Sequence, residues 1–130
     1  MRVAVIVCGA NSERSLIMER AVELYSKKYF DRIIQFSACT VAPSPLILQM
    51  SGVDAKHTVS VNACRNRCAD IILKRAGVEP RVSVVMDDVI DRPLEKCESC
   101  TAFVFPNVTE EEAEKMAVAL GQAVEEASKD

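Results

Sequence analysis

Six cysteines carry most of the chemistry open to this chain: Cys8, Cys39, Cys64, Cys68, Cys97 and Cys100. Thiolates bind soft metals, attack electrophiles and exchange with disulfides. In a small secreted chain an even count would suggest a disulfide framework. Residues 1–10, however, make a poor signal peptide, with one basic residue, a short apolar run and no convincing small-residue cleavage site. The expected compartment is cytoplasmic and reducing. There, clustered cysteines more often bind metal or do thiol chemistry.

Cys64 and Cys68 are four residues apart. If both lie on a helix they are neighbours on one face, roughly 5–6 Å apart at Cβ. Tetrahedral zinc needs sulfurs roughly 3.8 Å apart, a gap that side-chain rotamers can close. A helix N-terminus favours the thiolate form. Arg65 and Arg67 add positive charge that would offset a zinc–tetrathiolate centre.

The elements that must position these thiols can be read from apolar periodicity. Residues 2–7 (RVAVIV) form a short β-branched run, which fits a strand buried on both faces. Asn11 or Ser12 can cap a helix running to about Lys28, with Ile17, Ala21 and Leu24 at helical spacing. Residues 32–36 read as a second strand, followed by Cys39, a loop marked by Pro43 and Pro45, and a short helix to Met50. Residues 57–61 (HTVSV) read as a third strand. Residues 66–76 read as a helix with Ala69, Ile72, Leu73 and Ala76 as its apolar stripe and Gly77 at the C-cap. A fourth strand spans 81–86, and 102–105 offers a fifth, edge strand. Thr109 and Glu112 form a capping box for a last helix, whose apolar face is Ala113, Met116, Ala117, Leu120, Val124 and Ala127.

Strands alternating with helices predict one α/β domain over residues 1–130. It has three layers: a mostly parallel four- or five-stranded sheet with helices on both faces, Rossmann-like or flavodoxin-like. Sites in such sheets lie beyond the carboxyl ends of the strands. Cys8 follows the first strand, Cys39 the second and Cys64 the third, and Cys68 opens the next helix. Four cysteines distant in sequence are thus expected on one edge. The plainer alternative is that they are small buried hydrophobes.

Composition narrows the function classes. The chain has 130 residues, 49% hydrophobic and 27% charged, enough for a core and a polar surface. No run of about 18 apolar residues is present, so no membrane span is expected. A net charge of −3 with no Trp argues against a nucleic-acid partner. His57 is the only histidine, which limits His-based triads and metal sites.

The same segments resemble the DGC-domain family, which is described as zinc-binding. The pieces that match are Val7-Cys8-Gly9 after the first strand and Ser37-Ala38-Cys39 after the second. After the third comes Val61-Asn62-Ala63-Cys64-Arg65-Asn66-Arg67-Cys68-Ala69-Asp70. The run 72–78 and the segment 84–89 (VVMDDV) also match, so the resemblance spans roughly residues 1–90. This chain has Asn62-Ala63 where the family has Asp-Gly, and Arg65 where it has Pro. The resemblance implies Cys8, Cys39, Cys64 and Cys68 as ligands of one Zn(II).

A second likeness is local. Residues 8–15 (CGANSERS) are a Cys-x5-Arg-Ser sequence between a strand and a helix, similar to the phosphate loop of low-molecular-weight tyrosine phosphatases and the related arsenate reductases. Backbone N–H groups at a helix N-terminus cradle an oxyanion, an Arg binds it bidentately, and the field activates the Cys. By that analogy Cys8 is the nucleophile, Arg14 the oxyanion binder, and Asn11 and Ser12 loop stabilisers. Ala10 stands where those loops use Gly, and the Asp-Pro pair that supplies their general acid is absent. The plain alternative for Arg14 is a solvated arginine in a first helical turn.

Cys97 and Cys100 form a Cys-x2-Cys pair that fits a zinc half-site, a redox dithiol or an uninvolved loop. His57 opens the third strand at the end away from the cysteines and reads as exposed or hydrogen-bonded. Asp87 and Asp88 close the fourth strand on the thiol edge. They either support a metal's ligands from behind, bind a cation, or cap a turn or helix. The leading expectation is a small cytoplasmic protein holding Zn(II), with Cu(I) or an iron–sulfur cluster as variants. Four thiolates would close the coordination shell, which suits a structural, sensing or carrier role. The alternatives are a phosphatase or arsenate reductase using Cys8, and a metal-free thiol redox or sulfur-transfer protein. The last helix reads as core packing rather than a partner surface, and homodimerisation stays open.

Overall fold

A computed structural model describes residues 2–8, 13–29, 31–54, 56–63, 65–91 and 109–129. Four parallel strands form one sheet in the order β2-β1-β3-β4: β1 Val3–Val7, β2 Ile33–Ser37, β3 Thr58–Asn62 and β4 Val82–Val85. Between β1 and β2 runs α1 (Glu13–Lys28), and between β2 and β3 run two short helices, α2 (Ala38–Val41) and α3 (Leu46–Met50). Helix α4 (Cys68–Arg75) joins β3 to β4. Short α5 (Met86–Val89) follows β4, and α6 (Glu110–Ser128) ends the described chain. The expected fifth strand at 102–105 lies outside the described residues.

The sheet is covered on both faces, which makes this the three-layer α/β domain the sequence predicts. In β1, Val3 and Val5 turn to one side, where they meet Ile17, Ala21 and Tyr25 of α1 and Met116, Leu120 and Val124 of α6. Ala4 and Ile6 turn to the other, against Ala38 and Val41 of α2, Leu48 of α3, and Ala69 and Leu73 of α4. Two-sided burial explains why β1 is an unbroken apolar run rather than an alternating one.

Local signals set the helix ends. Thr109 Oγ1 accepts the Glu112 N–H at 3.3 Å, and the Glu112 carboxylate accepts the Thr109 N–H at 3.3 Å, so the capping box is formed. Gly77, at φ +78°, closes α4 in a Schellman turn. Val78 N–H donates to Leu73 C=O at 2.8 Å and Gly77 N–H to Lys74 C=O at 3.1 Å. Gly52 ends α3 through the same pair of bonds, to Leu48 and Gln49.

At the amino end of the sheet, His57 is fully buried, and its Nδ1 lies 2.6 Å from the Ala127 carbonyl of α6. A carbonyl only accepts, so Nδ1 donates in this contact. This places His57 among hydrogen-bonded core histidines, at the end away from the cysteines. His57→Ala would leave a cavity and an orphaned carbonyl. It is expected to cost about 2–4 kcal/mol in urea unfolding.

Tyr25, packed between α1 and α6, shows a second consequence of burial. Desolvation pushes its phenol above the ordinary value of 10.0. The folded state therefore holds this proton more tightly than the unfolded chain. The associated stability is fully present below pH 10.0 and is lost as pH rises through the raised value. Tyr25→Phe is expected to lose less stability than the parent between about pH 9 and pH 11 in the same assay.

Candidate thiol site at the carboxyl edge

The strand order creates a natural crevice. From β1 the chain steps to β2 on one side and later returns to β3 on the other, so neighbouring connections leave the β1 and β3 carboxyl ends in opposite directions. Cys8 is the first residue after β1, at this switch point. Cys39 is the second residue of α2, directly after β2, and Cys68 is the first residue of α4. All three described thiols therefore stand at the carboxyl edge. They also share one face of the sheet, because α2 and α4 pack together there and Cys8 packs against the same cluster.

Their exposure separates them. Cys8 is half-buried, whereas Cys39 and Cys68 are exposed. The buried-hydrophobe reading therefore fails for Cys39 and Cys68. Among the described residues, no three His, Cys, Asp or Glu side chains are gathered as a group that could hold a metal ion. Cys64, Cys97 and Cys100 lie outside the described residues, as do positions 9–12.

The helix after β3 begins later than the spacing predicts. It starts at Cys68 rather than at residue 66, and Arg67 before it is left-handed, with φ 53° and ψ 47°. Cys68 thus opens α4 rather than lying within its first turn. The left-handed backbone at a residue with a Cβ costs on the order of 1 kcal/mol. Arg67→Gly is expected to raise stability by about 0.5–1 kcal/mol, read as a higher urea midpoint.

Two sets of hydrogen bonds fix the ends of the segment that carries Cys68. At its start, Ala63 is held from both sides. Its N–H donates to Cys8 Sγ at 3.0 Å, and its carbonyl accepts from Arg14 Nη1. Arg14 is only 4% exposed, and the same Nη1 pairs with Asp87 Oδ1 at 2.7 Å. The second oxygen of Asp87 accepts the Arg65 N–H at 3.3 Å, and the Arg65 side chain reaches Asp88 at 3.4 Å. At the other end, the Asp70 N–H donates to Asn62 Oδ1 at 3.1 Å. The Asp70 carboxylate accepts hydrogen bonds from Ser60 and from Ser83, the latter at 3.1 Å. Buried Asn62 is itself fixed by its Nδ2 donating to the Val84 carbonyl at 3.2 Å.

Arg14 is therefore not the solvated arginine of the plain reading. It is a buried cation that ties α1 to α5 and to the end of β3. The sequence holds a signal for this, because Arg14, Ile17, Met18, Ala21 and Tyr25 form one buried stripe along α1. The Ser60–Asn62–Asp70–Ser83 network was not anticipated. Polar alternation along β3 is visible in the sequence, but alternation alone suggests a solvated face rather than one roofed by α4.

No protein-family model, curated protein or solved structure matches this chain. The functional reading therefore rests on the site itself. A groove of about 830 Å³ between α1 and α6 is lined by Tyr25, Tyr29, Val118 and Gly121, among others. Among the described residues it is lined by no thiol, and it lies on the sheet face away from Cys8. No helix among the described residues is long and apolar enough to cross a membrane.

Proposed function

We propose that the chain is a cytoplasmic thiolate metal-binding protein that takes one Zn(II) through Cys8, Cys39, Cys64 and Cys68. One observation carries the reading. Two of the three described cysteines face solvent at the carboxyl edge, where packing gives no reason for a thiol. The all-sulfur donor set suits a soft or borderline ion, and Cys64 follows directly on Ala63, which is bonded to Cys8. The described thiols share an edge without forming a ready-made triad, so binding must draw the cysteine segments together around the ion. Such closure suits sensing or carriage, and the likeness to DGC-domain proteins points to zinc as the ion. A four-thiolate shell leaves no position for a reacting water, so hydrolysis at the metal is not part of the reading. The test is zinc titration under reducing conditions against a competing chelator. The parent is expected to bind about one equivalent, and Cys39→Ala and Cys68→Ala to bind none tightly. Unchanged binding in either variant would remove this ligand set.

A second reading has one observation in its favour. Cys8 and Arg14, the ends of the Cys-x5-Arg sequence, both bond to Ala63. They therefore converge as a nucleophile and an oxyanion binder would, although Arg14 is already paired with Asp87. This reading predicts turnover of a phenyl phosphate or of arsenate that disappears in Cys8→Ser. Equal activity in that variant would end it.

A further inference from the structure

At the carboxyl edge, Asp87 reaches the Ala63 carbonyl through Arg14 and the Arg65 N–H directly. We infer that Asp87 is a positioning residue for the thiol edge, acting through Arg14 on the turn between β3 and α4. The inference rests on the metal reading for its effect on zinc and on the described hydrogen bonds for its effect on the turn.

A guanidinium that is 4% exposed needs a partner, and Asp87 Oδ1 at 2.7 Å supplies it. Fixed by Asp87, Arg14 Nη1 holds the Ala63 carbonyl. On the preceding peptide unit, the Ala63 N–H donates to Cys8 Sγ at 3.0 Å. The other Asp87 oxygen, bonded to the Arg65 N–H at 3.3 Å, fixes the chain on the far side of Cys64. One carboxylate thus constrains the peptide units on both sides of residue 64, from an element 22 residues downstream in sequence. A ligand turn held in this way loses less conformational entropy when it meets an ion. Groups that orient ligands from behind typically change metal affinity by about 10–100-fold when removed.

A purely structural carboxylate would make the same ion pair, so the test must separate stability from positioning. Three variants of the full chain serve: Asp87→Asn, Asp87→Glu and, as a control for lost stability, His57→Gln at the opposite edge of the sheet. Two readouts are taken on each: zinc affinity by chelator competition, and amide hydrogen exchange at Ala63. Asp87→Asn is expected to weaken zinc binding about 10–100-fold. It is also expected to speed Ala63 exchange about fivefold, as loss of one hydrogen bond would. Asp87→Glu is expected to recover most of both changes, and His57→Gln to move neither beyond its global stability loss. If the parent binds no zinc but Ala63 exchange responds as stated, the metal reading fails and the positioning role stands. If Asp87→Asn matches His57→Gln in both readouts, the positioning role is overturned even where zinc binds.

Discussion

Asp87→Ala is expected to destabilise the folded chain by about 3–5 kcal/mol, the cost of removing one member of a buried ion pair. Arg14 would keep its place beneath the carboxyl edge with the Asp87 carboxylate gone and only 4% of its surface exposed. A domain of this size has roughly 5–15 kcal/mol of total stability, so the loss should dominate its urea midpoint. The pair is not thereby the best occupant of its site. Replacing both members by apolar residues, Arg14→Met with Asp87→Leu, is expected to recover most of the loss, since neither charge is then stranded. Equilibrium unfolding of the two single variants and the double variant decides the matter. A double variant whose cost equals the sum of the single costs would show that the two side chains act independently, against the geometry described here.

Cys68→Ala carries the second large expected effect, and it appears only with metal present. Cys68 is exposed at the start of α4, so the thiol contributes little packing and the apo variant should unfold close to the parent. Zinc at about a thousand times its dissociation constant should stabilise the parent by about 4 kcal/mol. In Cys68→Ala that gain should largely vanish, because one of four thiolates is missing. Thermal unfolding of both proteins with and without zinc reads the difference directly. An equal zinc-induced rise in the two would place the ion elsewhere.

The three-layer fold was legible because its signals are local. A β-branched run covered on both faces, a glycine closing α4 and a Thr–Glu capping box each act within a few residues. They need no knowledge of the rest of the chain. The carboxyl-edge placement of Cys8, Cys39 and Cys68 followed from their positions just after strands of a parallel sheet. The details that failed were those set by distant partners. The start of α4 shifted to Cys68 where Arg67 turns left-handed, with Asp70 held by Asn62 and Ser83 of two strands. Arg14 looked solvated because its partner, Asp87, lies 73 residues away. His57 reads from sequence as either exposed or bonded, and only the position of Ala127 on α6 decides between them.

Whether this edge holds zinc is read from the metal content of the purified protein. Untagged protein purified under reducing conditions without chelator should carry about one zinc per chain by elemental analysis. Protein that arrives without metal, and refuses zinc when it is offered back, would contradict the claim and turn attention to Cys8 as a nucleophile.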